Sequence, residues 1–388
     1  MSVKLKLVRN TEFARREHEI VSDPKLLPHS LFSLIYSPSS THPDIANYFL
    51  DKFSEQGEVV LDPFCGAGNI PLAAALSGRV PYCSDLNPFS LCQTAAKLQP
   101  ADITNVTLFM QAVNLKKPVA IDRSMRDLLE FYDMETLREI INLRKSLLNS
   151  YEQTARFVEV ISLSLLHGNN AGYFSVYTNP HVSVSAAQQA QINMQRKQKP
   201  AYRAVLPRVL KKTAQVTADG IPSVLSKASE LAILKVQDAR DLQFLRSTKV
   251  DLILTSVPLP GIKHTSDQVW LKNWFSDIDG SAFFDQTNFT SDIDSWLGFL
   301  NESLLEFARV LQQGRNVVLH IRDIAPEGKV VKLAEVLLEY VKDNLNRYWE
   351  PVELISNNLP NLQLKNALKP RAGSDRALAD RFLVLRRG

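Results

Sequence analysis

Short aliphatic and β-branched runs alternate along the chain with longer stretches in which apolar residues recur every three or four positions. The runs with the length and composition of buried strands are residues 58–62, 80–85, 232–237, 251–255, 316–321, 351–355 and 381–385. A spacing of three and four places apolar side chains on one face of a helix. The alternation therefore predicts an α/β fold with a sheet of seven mainly parallel strands.

Two helices are marked clearly in the second half of the chain. Trp296, Leu300, Leu304 and Phe307 follow one another at steps of three and four. We expect this helix to end at Gly314, because glycine adopts the left-handed conformation that stops a helix. The same spacing predicts a second helix over residues 333–341.

The strand pattern stops after the second predicted strand, and residues 101–230 have the pattern of helices and loops. Consecutive parallel strands are joined by crossover connections, so a long helical segment here is an insertion between two halves of one sheet. We expect residues 1–100 to hold an N-terminal segment and the first half of the sheet unit. Residues 101–230 are the predicted insertion, and residues 231–388 are the predicted second half.

Composition and cysteine usage restrict the class of protein. Of 388 residues, 45% are hydrophobic and 22% are charged, which excludes a disordered or low-complexity chain. The three cysteines form no Cys-x-x-Cys pair, so we expect a reducing compartment and no structural metal site. The first residues lack an apolar signal core, and no run is long enough to span a membrane. A soluble, cytoplasmic protein without a membrane partner is expected.

The formal net charge of +4 says little about partners, but the charges are distributed unevenly. Residues 160–218 contain no aspartate or glutamate. The candidate phosphate contacts in this stretch are Arg196, Lys197, Lys199, Arg203, Lys211 and Lys212. A solvated basic face is one interpretation, yet solvated faces usually mix both signs. The absence of acids favours a surface that binds a polyanion, and we expect the insertion to contact nucleic acid.

A glycine-rich turn follows the first predicted strand. Asp62 ends that strand, Gly66 and Gly68 lie in the turn, and a helix is expected to start near residue 69. Glycines let the backbone approach a ligand closely, and a helix N-terminus offers free amide groups. Asp85 ends the next strand, where an acid can accept the hydroxyls of a ribose. A helix-capping role before Pro88 is the alternative for Asp85.

These loops resemble those of a known family. Residues 62–68 (Asp-Pro-Phe-Cys-Gly-Ala-Gly) and 85–88 (Asp-Leu-Asn-Pro) look like the S-adenosylmethionine loops of the DNA amino-methyltransferases, which modify adenine N6 or cytosine N4. The resemblance implies a Rossmann-like methyltransferase sheet with S-adenosylmethionine as its cofactor. The cofactor-binding residues that it implies are Asp62, Phe64, Gly66, Gly68, Asp85 and Asp238.

Other segments extend the resemblance over most of the chain. Residues 237–240 are similar to the third cofactor motif of the family, whose acid, here Asp238, reads the adenine amine. His42, Pro43 and the helix after them are similar to the segment that closes over the methionine end of the cofactor. At position 69 the family usually has threonine, whereas this chain has Asn69, whose amide can still form hydrogen bonds.

The catalytic signature of the family is Asp, Asn or Ser, then Pro-Pro, then an aromatic residue. The positions that correspond are Ser256, Val257, Pro258 and Leu259. The Ser256 hydroxyl and the carbonyl of Val257 are candidate acceptors for the two N–H groups of a base amine. Leu259 lacks the aromatic face on which a flipped base stacks, an interaction worth roughly 1–3 kcal/mol. Trp270 or Trp274 is a candidate substitute, although both are more typical of a core.

Three functions stay open. The first is a site-specific DNA methyltransferase acting on cytosine N4 or adenine N6, with DNA and a cognate restriction-modification or defence-system subunit as partners, and with a prokaryotic nucleoid as its place of action. The serine at position 256 leans toward cytosine N4. The second is a DNA-binding homologue whose catalysis is weakened or lost. The third is an RNA base methyltransferase, since a shared fold does not fix the substrate.

Overall fold

One mixed sheet forms the centre of the computed structural model, which describes residues 13–17, 27–35, 40–150, 152–180, 182–246, 250–261, 266–278, 292–357 and 378–388. The strands are β1 (Ala14–Glu17), β2 (Val59–Asp62), β3 (Val80–Asp85), β4 (Ile233–Val236), β5 (Val250–Ser256), β6 (Leu311–Arg322), β7 (Trp349–Asn357) and β8 (Asp380–Arg387). Their order is β1-β7-β8-β6-β5-β2-β3-β4. Strand β8 pairs antiparallel with β6 and β7, and the other pairs are parallel. The prediction of an α/β fold with a mainly parallel sheet is confirmed.

The sheet has eight strands, whereas the sequence predicts seven. The additional strand, β1, has the sequence Ala-Arg-Arg-Glu and lies at the edge beside β7. Apolar alternation marks a strand only where one of its faces is buried, and the exposed Arg15 and Arg16 carry no such pattern. Charged residues are typical of edge strands.

Helices cover both faces of the sheet and form the insertion. They are α1 (Pro43–Phe53), α2 (Asn69–Leu76), α3 (Pro88–Leu98), α4 (Ile103–Ala112), α5 (Met134–Leu148), α6 (Gln153–Leu165), α7 (Ala186–Gln195), α8 (Val205–Val216), α9 (Ser223–Leu231), α10 (Trp270–Ser276), α11 (Ile293–Val310) and α12 (Leu333–Asn344). The described residues include no helix that is both long and apolar enough to cross a lipid bilayer.

Two apolar layers enclose the sheet. On one face α1, α2 and α9 bury side chains such as Phe49, Leu72 and Leu225 against the strands. On the other face α11 and α12 do the same with residues that include Trp296 and Leu337. Strand β5 is buried along nearly its whole length, as expected for a central strand that is covered on both faces.

The helices between β3 and β4 have a hydrophobic core of their own. Its buried residues include Phe131 just before α5, Phe157 on α6 and Val209 on α8. Helix α10 follows β5 in the sequence but packs into this separate core, through Leu271 and Phe275. The polypeptide that follows the predicted catalytic segment is therefore attached to the insertion.

The predicted helix stop at Gly314 is wrong. Helix α11 ends at Val310, and β6 begins at the next residue. Gly314 has a φ angle of 78° inside β6, where the pairing with β5 shifts between Leu311 and Asn316. The chain is drawn into the strand early because Leu311 is fully buried in the sheet core. The second predicted helix, over residues 333–341, is confirmed by α12.

Candidate functional site

Four neighbouring parallel strands carry polar residues at their carboxyl ends. Strands β5, β2, β3 and β4 are consecutive in the sheet, and they end at or just before Ser256, Asp62, Asp85 and Asp238. The strands that follow β2 in the sequence, β3 and β4, extend the sheet on one side of it. The strands that follow β5, which are β6, β7 and β8, extend the sheet on the other side. Ligands of open α/β sheets bind in the crevice at such a reversal. The predicted cofactor and catalytic residues thus lie along one edge.

Asp85 holds the glycine turn that follows β2. Gly66 and Gly68 have φ angles of 49° and 75°, which glycine adopts without strain. Asp85 Oδ2 accepts a hydrogen bond from the Gly66 N–H at 2.9 Å, and Oδ1 accepts one from the Asn87 N–H at 2.8 Å. Burial raises the pKa of Asp85, although these backbone hydrogen bonds oppose the rise. The Ser90 side chain also forms a hydrogen bond to this carboxylate, so three donors occupy it and about one lone pair is left for a ligand hydroxyl.

Asp62 is a buried link between β2 and β5. The residue is only 2% exposed. Its Oδ1 accepts hydrogen bonds from the Thr255 hydroxyl at 2.7 Å and from the Phe64 N–H at 3.3 Å. Burial raises the pKa of Asp62 to about 7, against the effect of both hydrogen bonds. The carboxyl group therefore lies beneath the crevice, and its contact with a cofactor stays a prediction.

Asp238 and Phe64 are joined through two residues that the sequence does not single out. Arg240 Nη2 lies 2.7 Å from Asp238 Oδ2, and its guanidinium lies 5.5 Å from the ring centre of Phe299. The rings of Phe299 and Phe64 are 5.8 Å apart. Partial burial acts to raise the pKa of Asp238, but the hydrogen bonds and charge of Arg240 outweigh it and lower the pKa. The side of the crevice beyond β2 thus combines an ionised carboxylate with an aromatic surface.

The segment before α1 lies across the carboxyl edge of the sheet. The Thr41 carbonyl accepts a hydrogen bond from Asn69 Nδ2 at 3.1 Å, at the start of α2. The Thr41 hydroxyl lies 2.8 Å from His320 Nδ1, near the end of β6. Thr41, which directly precedes the His42-Pro43 segment of the resemblance, therefore contacts both the helix after the glycine turn and β6, the neighbour of the predicted catalytic strand.

His320 is a functional candidate that sequence reasoning missed. It pairs in register with Ser256 on the neighbouring strand. Its ring stacks on Phe382, with centres 4.7 Å apart, and its Nε2 lies 3.3 Å from Asp380 Oδ1. Burial acts to raise the pKa of Asp380, but His320 and Arg322 outweigh it and hold this pKa well below its usual range. Thr41 and Asp380 are far from His320 in sequence, so no local pattern marks the cluster.

The predicted catalytic segment has a fixed backbone. Ser256 is half-buried at the end of β5. The Val257 N–H donates to the His320 carbonyl at 3.1 Å, and the Trp296 indole N–H donates to the Pro258 carbonyl at 2.8 Å. Leu259 packs against the apolar layer of α11 and α12. The carbonyl of Pro258 is thus occupied, and the Ser256 hydroxyl and Val257 carbonyl are the acceptors that the sequence analysis assigns to a base amine.

The six predicted phosphate contacts divide into two groups. Arg196, Lys197, Lys199 and Lys211 are exposed, and the Arg196 guanidinium stacks 3.6 Å from the ring centre of Tyr177. Arg203 instead donates to the carbonyls of Asn170 and Tyr173, at 3.0 and 3.1 Å, and to that of Ser175. Lys212 donates to the Ser33 carbonyl at 2.7 Å. Burial lowers the pKa of both Arg203 and Lys212. These two cations support loops, and the four exposed ones face solvent.

The basic insertion is attached directly to the chain that follows the catalytic segment. The Ser183 N–H donates to the Gln268 carbonyl at 2.7 Å, and the Trp270 indole N–H donates to the Val184 carbonyl at 2.9 Å. Trp270 and Trp274 both pack against the insertion core, as predicted. Helix α7 starts beside these contacts and carries Arg196 at its far end, about 15 Å away at 1.5 Å per residue.

Replacement of Gly68 by alanine tests the tight packing of the turn. A Cβ atom there would lie 2.7 Å from Thr94 Oγ1 and 2.9 Å from Thr94 Cα, at a φ angle of 75°. Gly314→Ala is the matched control, because its φ angle is 78° and nothing lies within 4 Å. The left-handed conformation alone costs about 1–2 kcal/mol, and overpacking adds about 1–3 kcal/mol. Urea denaturation should show the larger loss of stability for Gly68→Ala, and equal losses would contradict the contact with Thr94.

The raised pKa of Asp62 predicts a pH dependence of stability. Because the folded state holds this proton up to about pH 7 and the unfolded chain up to about 3.8, stability falls as the pH rises through that window. In Asp62→Asn the side chain is neutral at every pH, so the folded state no longer has to bind a proton at this position. The stability of this variant relative to the wild type should therefore rise between those pH values, as measured by urea midpoints. Asp343→Asn, an exposed change on α12, is the control. A difference that does not vary with pH would refute the assignment.

No protein-family model matches this chain, and no curated protein matches its sequence significantly. Among solved structures, it is similar to a putative rRNA methylase from Clostridium thermocellum, with 9% identity, 89% of this chain and 96% of that chain covered, and a TM-score of 0.35. An rRNA methyltransferase from Streptomyces viridochromogenes has 14% identity, 92% and 91% coverage, and a TM-score of 0.32. A third similar structure is a geranyl diphosphate C-methyltransferase from Streptomyces coelicolor A3(2), in complex with Mg2+, geranyl diphosphate and S-adenosyl-L-homocysteine. It has 9% identity, 89% of this chain and 78% of that chain are covered, and the TM-score is 0.36. Similarities of this size do not assign a substrate to this chain.

Proposed function

We propose that this chain is an S-adenosylmethionine-dependent methyltransferase that acts on an exocyclic amine of a base in DNA. The observation that supports this proposal is the row formed by Ser256, Asp62, Asp85 and Asp238 at the carboxyl ends of adjacent parallel strands. The row places acids suited to a nucleoside beside a hydroxyl suited to an amine, across the reversal of the sheet.

The cofactor residues fit the parts of S-adenosylmethionine. Asp85 keeps an acceptor position for a ribose hydroxyl beside its bonds from Gly66, Asn87 and Ser90. Asp238, kept ionised by Arg240, can accept the adenine amine, and the half-buried Phe64, backed by the buried Phe299, offers apolar surface to the adenine ring. Gly66 lets the backbone of the turn approach the methionine portion, because no side-chain atom lies within 4 Å of the position that its Cβ would occupy.

The acceptors at the end of β5 address the weakness of a base amine as a nucleophile, since its lone pair is conjugated with the ring. Bound S-adenosylmethionine supplies an electrophilic methyl group on sulfur. Hydrogen bonds from the amine to the Ser256 hydroxyl oxygen and the Val257 carbonyl favour a pyramidal nitrogen and stabilise its developing positive charge. The His320 carbonyl and the Trp296 indole keep this backbone in place.

The four exposed cations of the insertion are the proposed DNA contacts. Arg196 and Lys197 lie at the end of α7 that points away from Ser183, whereas its beginning is tied to the segment after the catalytic strand. Helix α7 spans about 15 Å, which is less than half a helical turn of DNA, so a duplex bound to these cations would extend past the start of the helix. DNA and RNA share the phosphate chemistry, and the test of activity uses both.

A catalytically weakened DNA-binding homologue is the second candidate, and a specific observation favours it. Leu259 provides no aromatic face, and its side chain packs toward the core of α11 and α12. Loss of stacking costs roughly 1–3 kcal/mol per base, equivalent to about 10- to 100-fold in binding. If this candidate is right, the wild type transfers no methyl groups, and the double variant Val257→Pro, Leu259→Tyr gains methyl-transfer activity.

Ser256→Ala tests the catalytic assignment. Removal of one amine acceptor should lower the rate of methyl transfer by roughly 10²-fold. Cofactor affinity should stay the same, because Ser256 contacts the base. The measurement is transfer of tritiated methyl groups to unmodified genomic DNA and, in parallel, to total RNA, with mass spectrometry of the nucleosides. Ser226→Ala, an exposed change on α9, is the control.

Each outcome of this assay is informative. Transfer to RNA alone would replace DNA by RNA as the substrate. An active wild type whose rate is unaffected by Ser256→Ala would move the catalytic site elsewhere. An inactive wild type that gains activity with Val257→Pro and Leu259→Tyr would favour the second candidate.

The exposed cations predict a salt dependence of DNA binding. Each phosphate contact contributes about −0.9 to the slope of log affinity against log salt concentration. Replacing Arg196, Lys197 and Lys199 by glutamine should flatten that slope by about 1 for each lost contact. Fluorescence anisotropy with a short duplex measures it. Lys227→Gln and Lys235→Gln, on α9 and β4, are exposed controls, and an unchanged slope in the first set would indicate a merely solvated face.

A further inference from the structure

A buried imidazole lies beside the predicted catalytic serine. His320 is in register with Ser256 on the neighbouring parallel strand, and adjacent strands are about 4.8 Å apart. Leu254 and Val318, two residues earlier on each strand, belong to one core layer, so the side chains of Ser256 and His320 project from the same face of the sheet. His320 is 2% exposed, whereas Ser256 is half-buried. The imidazole is therefore the buried lateral neighbour of the serine.

Three side chains hold the His320 ring. The Thr41 hydroxyl lies 2.8 Å from its Nδ1, Asp380 Oδ1 lies 3.3 Å from its Nε2, and Phe382 stacks on it at an angle of 28°. Asp380 is ionised, because its contacts with His320 and Arg322 lower its pKa against the effect of burial. A carboxylate favours a proton on the nitrogen that faces it, so in the neutral ring Nδ1 is left to accept the Thr41 hydroxyl.

Thr41 is itself fixed from the start of α2. The residue is 2% exposed, and its carbonyl accepts a hydrogen bond from Asn69 Nδ2 at 3.1 Å. Lys97 Nζ donates to Asn69 Oδ1 at 2.7 Å. Because an ammonium group only donates, this bond determines which end of the Asn69 amide faces Thr41. The His320 ring is thus connected to the helix after the glycine turn on one side and to β8 on the other.

The main chain of His320 carries this position to the catalytic segment. Its carbonyl accepts the Val257 N–H at 3.1 Å, which extends the pairing of β5 with β6 one residue beyond the end of β5. The Val257 side chain is 4% exposed and packs into the apolar layer on the other face of the sheet. The Val257 peptide, between the two assigned amine acceptors, is therefore set by the backbone of β6.

We propose that His320 is a positioning residue for methyl transfer, and that its clamped ring fixes the β6 backbone and, through it, the spacing of the Ser256 hydroxyl and the Val257 carbonyl. The inference rests on the proposed function, because it takes these two groups as the acceptors of the base amine. The role needs accurate geometry rather than a titrating imidazole, since a displacement of about 1 Å in a reacting arrangement can cost roughly 100-fold in rate.

Two substitutions of His320 separate positioning from packing. His320→Gln keeps one donor and one acceptor, whereas His320→Leu removes both. In methyl transfer to DNA, His320→Leu should lower kcat by roughly 100-fold, with less than a twofold change in KM for DNA or in S-adenosylhomocysteine affinity by calorimetry. His320→Gln should recover most of kcat. Leu338→Ala, a fully buried change on α12, is the control for lost stability, and it should lower the melting temperature without a selective loss of kcat.

Hydrogen exchange provides a readout that does not need activity. The Val257 amide should exchange at least 10-fold faster in His320→Leu, because its acceptor is no longer held, whereas the amides in the middle of β5 should keep their rates. Thr41→Val removes only the hydroxyl and should accelerate the same amide. The double variant should exchange no faster than His320→Leu alone, since both changes act through one ring.

The failure of this inference differs from that of the proposed function. If the wild type transfers no methyl groups to DNA or RNA, the proposed function is wrong, and faster exchange at Val257 in His320→Leu still supports the clamp. If the wild type is active and His320→Leu keeps its kcat, or if the glutamine and leucine variants are equally impaired, the positioning role is refuted while the activity stands. Unchanged exchange of the Val257 amide would refute it as well.

Discussion

The parallel pairing of β2 with β5 is the constraint on which the site depends. These strands are distant in sequence but adjacent in the sheet, and the Thr255 hydroxyl joins them by its hydrogen bond to Asp62. Because β2 and β5 are parallel neighbours, the glycine turn after β2 and the predicted catalytic segment after β5 lie side by side at the same edge of the sheet. Asp85 at the end of β3, Asp238 just after β4 and His320 near the end of β6 then reach the same edge, because these parallel strands all end there.

The insertion is connected to this centre in a way that limits its movement. It has a separate core, yet α10 inserts Leu271 and Phe275 into that core immediately after the catalytic segment. Hydrogen bonds from Ser183 and Trp270 strengthen the connection. The start of α7 is therefore held by packed side chains and hydrogen bonds of the segment that begins at residue 266.

Features that depend on neighbours in the chain could be predicted from the sequence, whereas contacts between segments far apart in the sequence could not. The strands with apolar runs, the helix after residue 333 and the glycine turn with Asp85 depend on neighbours in the chain. The predicted helix stop at Gly314 is wrong because the pairing of β6 with β5 overrides the tendency of glycine to end a helix. The cluster around His320 and the amide–lysine pair of Asn69 and Lys97 join segments that are far apart in sequence. Charge patterns likewise do not distinguish the exposed Lys199 from Lys212, whose burial depends on tertiary packing.

The charged edge strand β1 affects how the molecule meets other copies of itself. Arg15 lies 2.8 Å from Glu335 on α12 and Arg16 lies 3.5 Å from Glu353 on β7, so two ion pairs hold β1 against the outer edge of β7, with which it pairs. A short, charged strand is a poor template for intermolecular pairing. The opposite edge, β4, is flanked by Leu231 and Val236, which are 63% and 59% exposed. Pairing with the strand of another copy is therefore more favourable at the β4 edge, where Lys235 is the one exposed charge within the strand, than at β1.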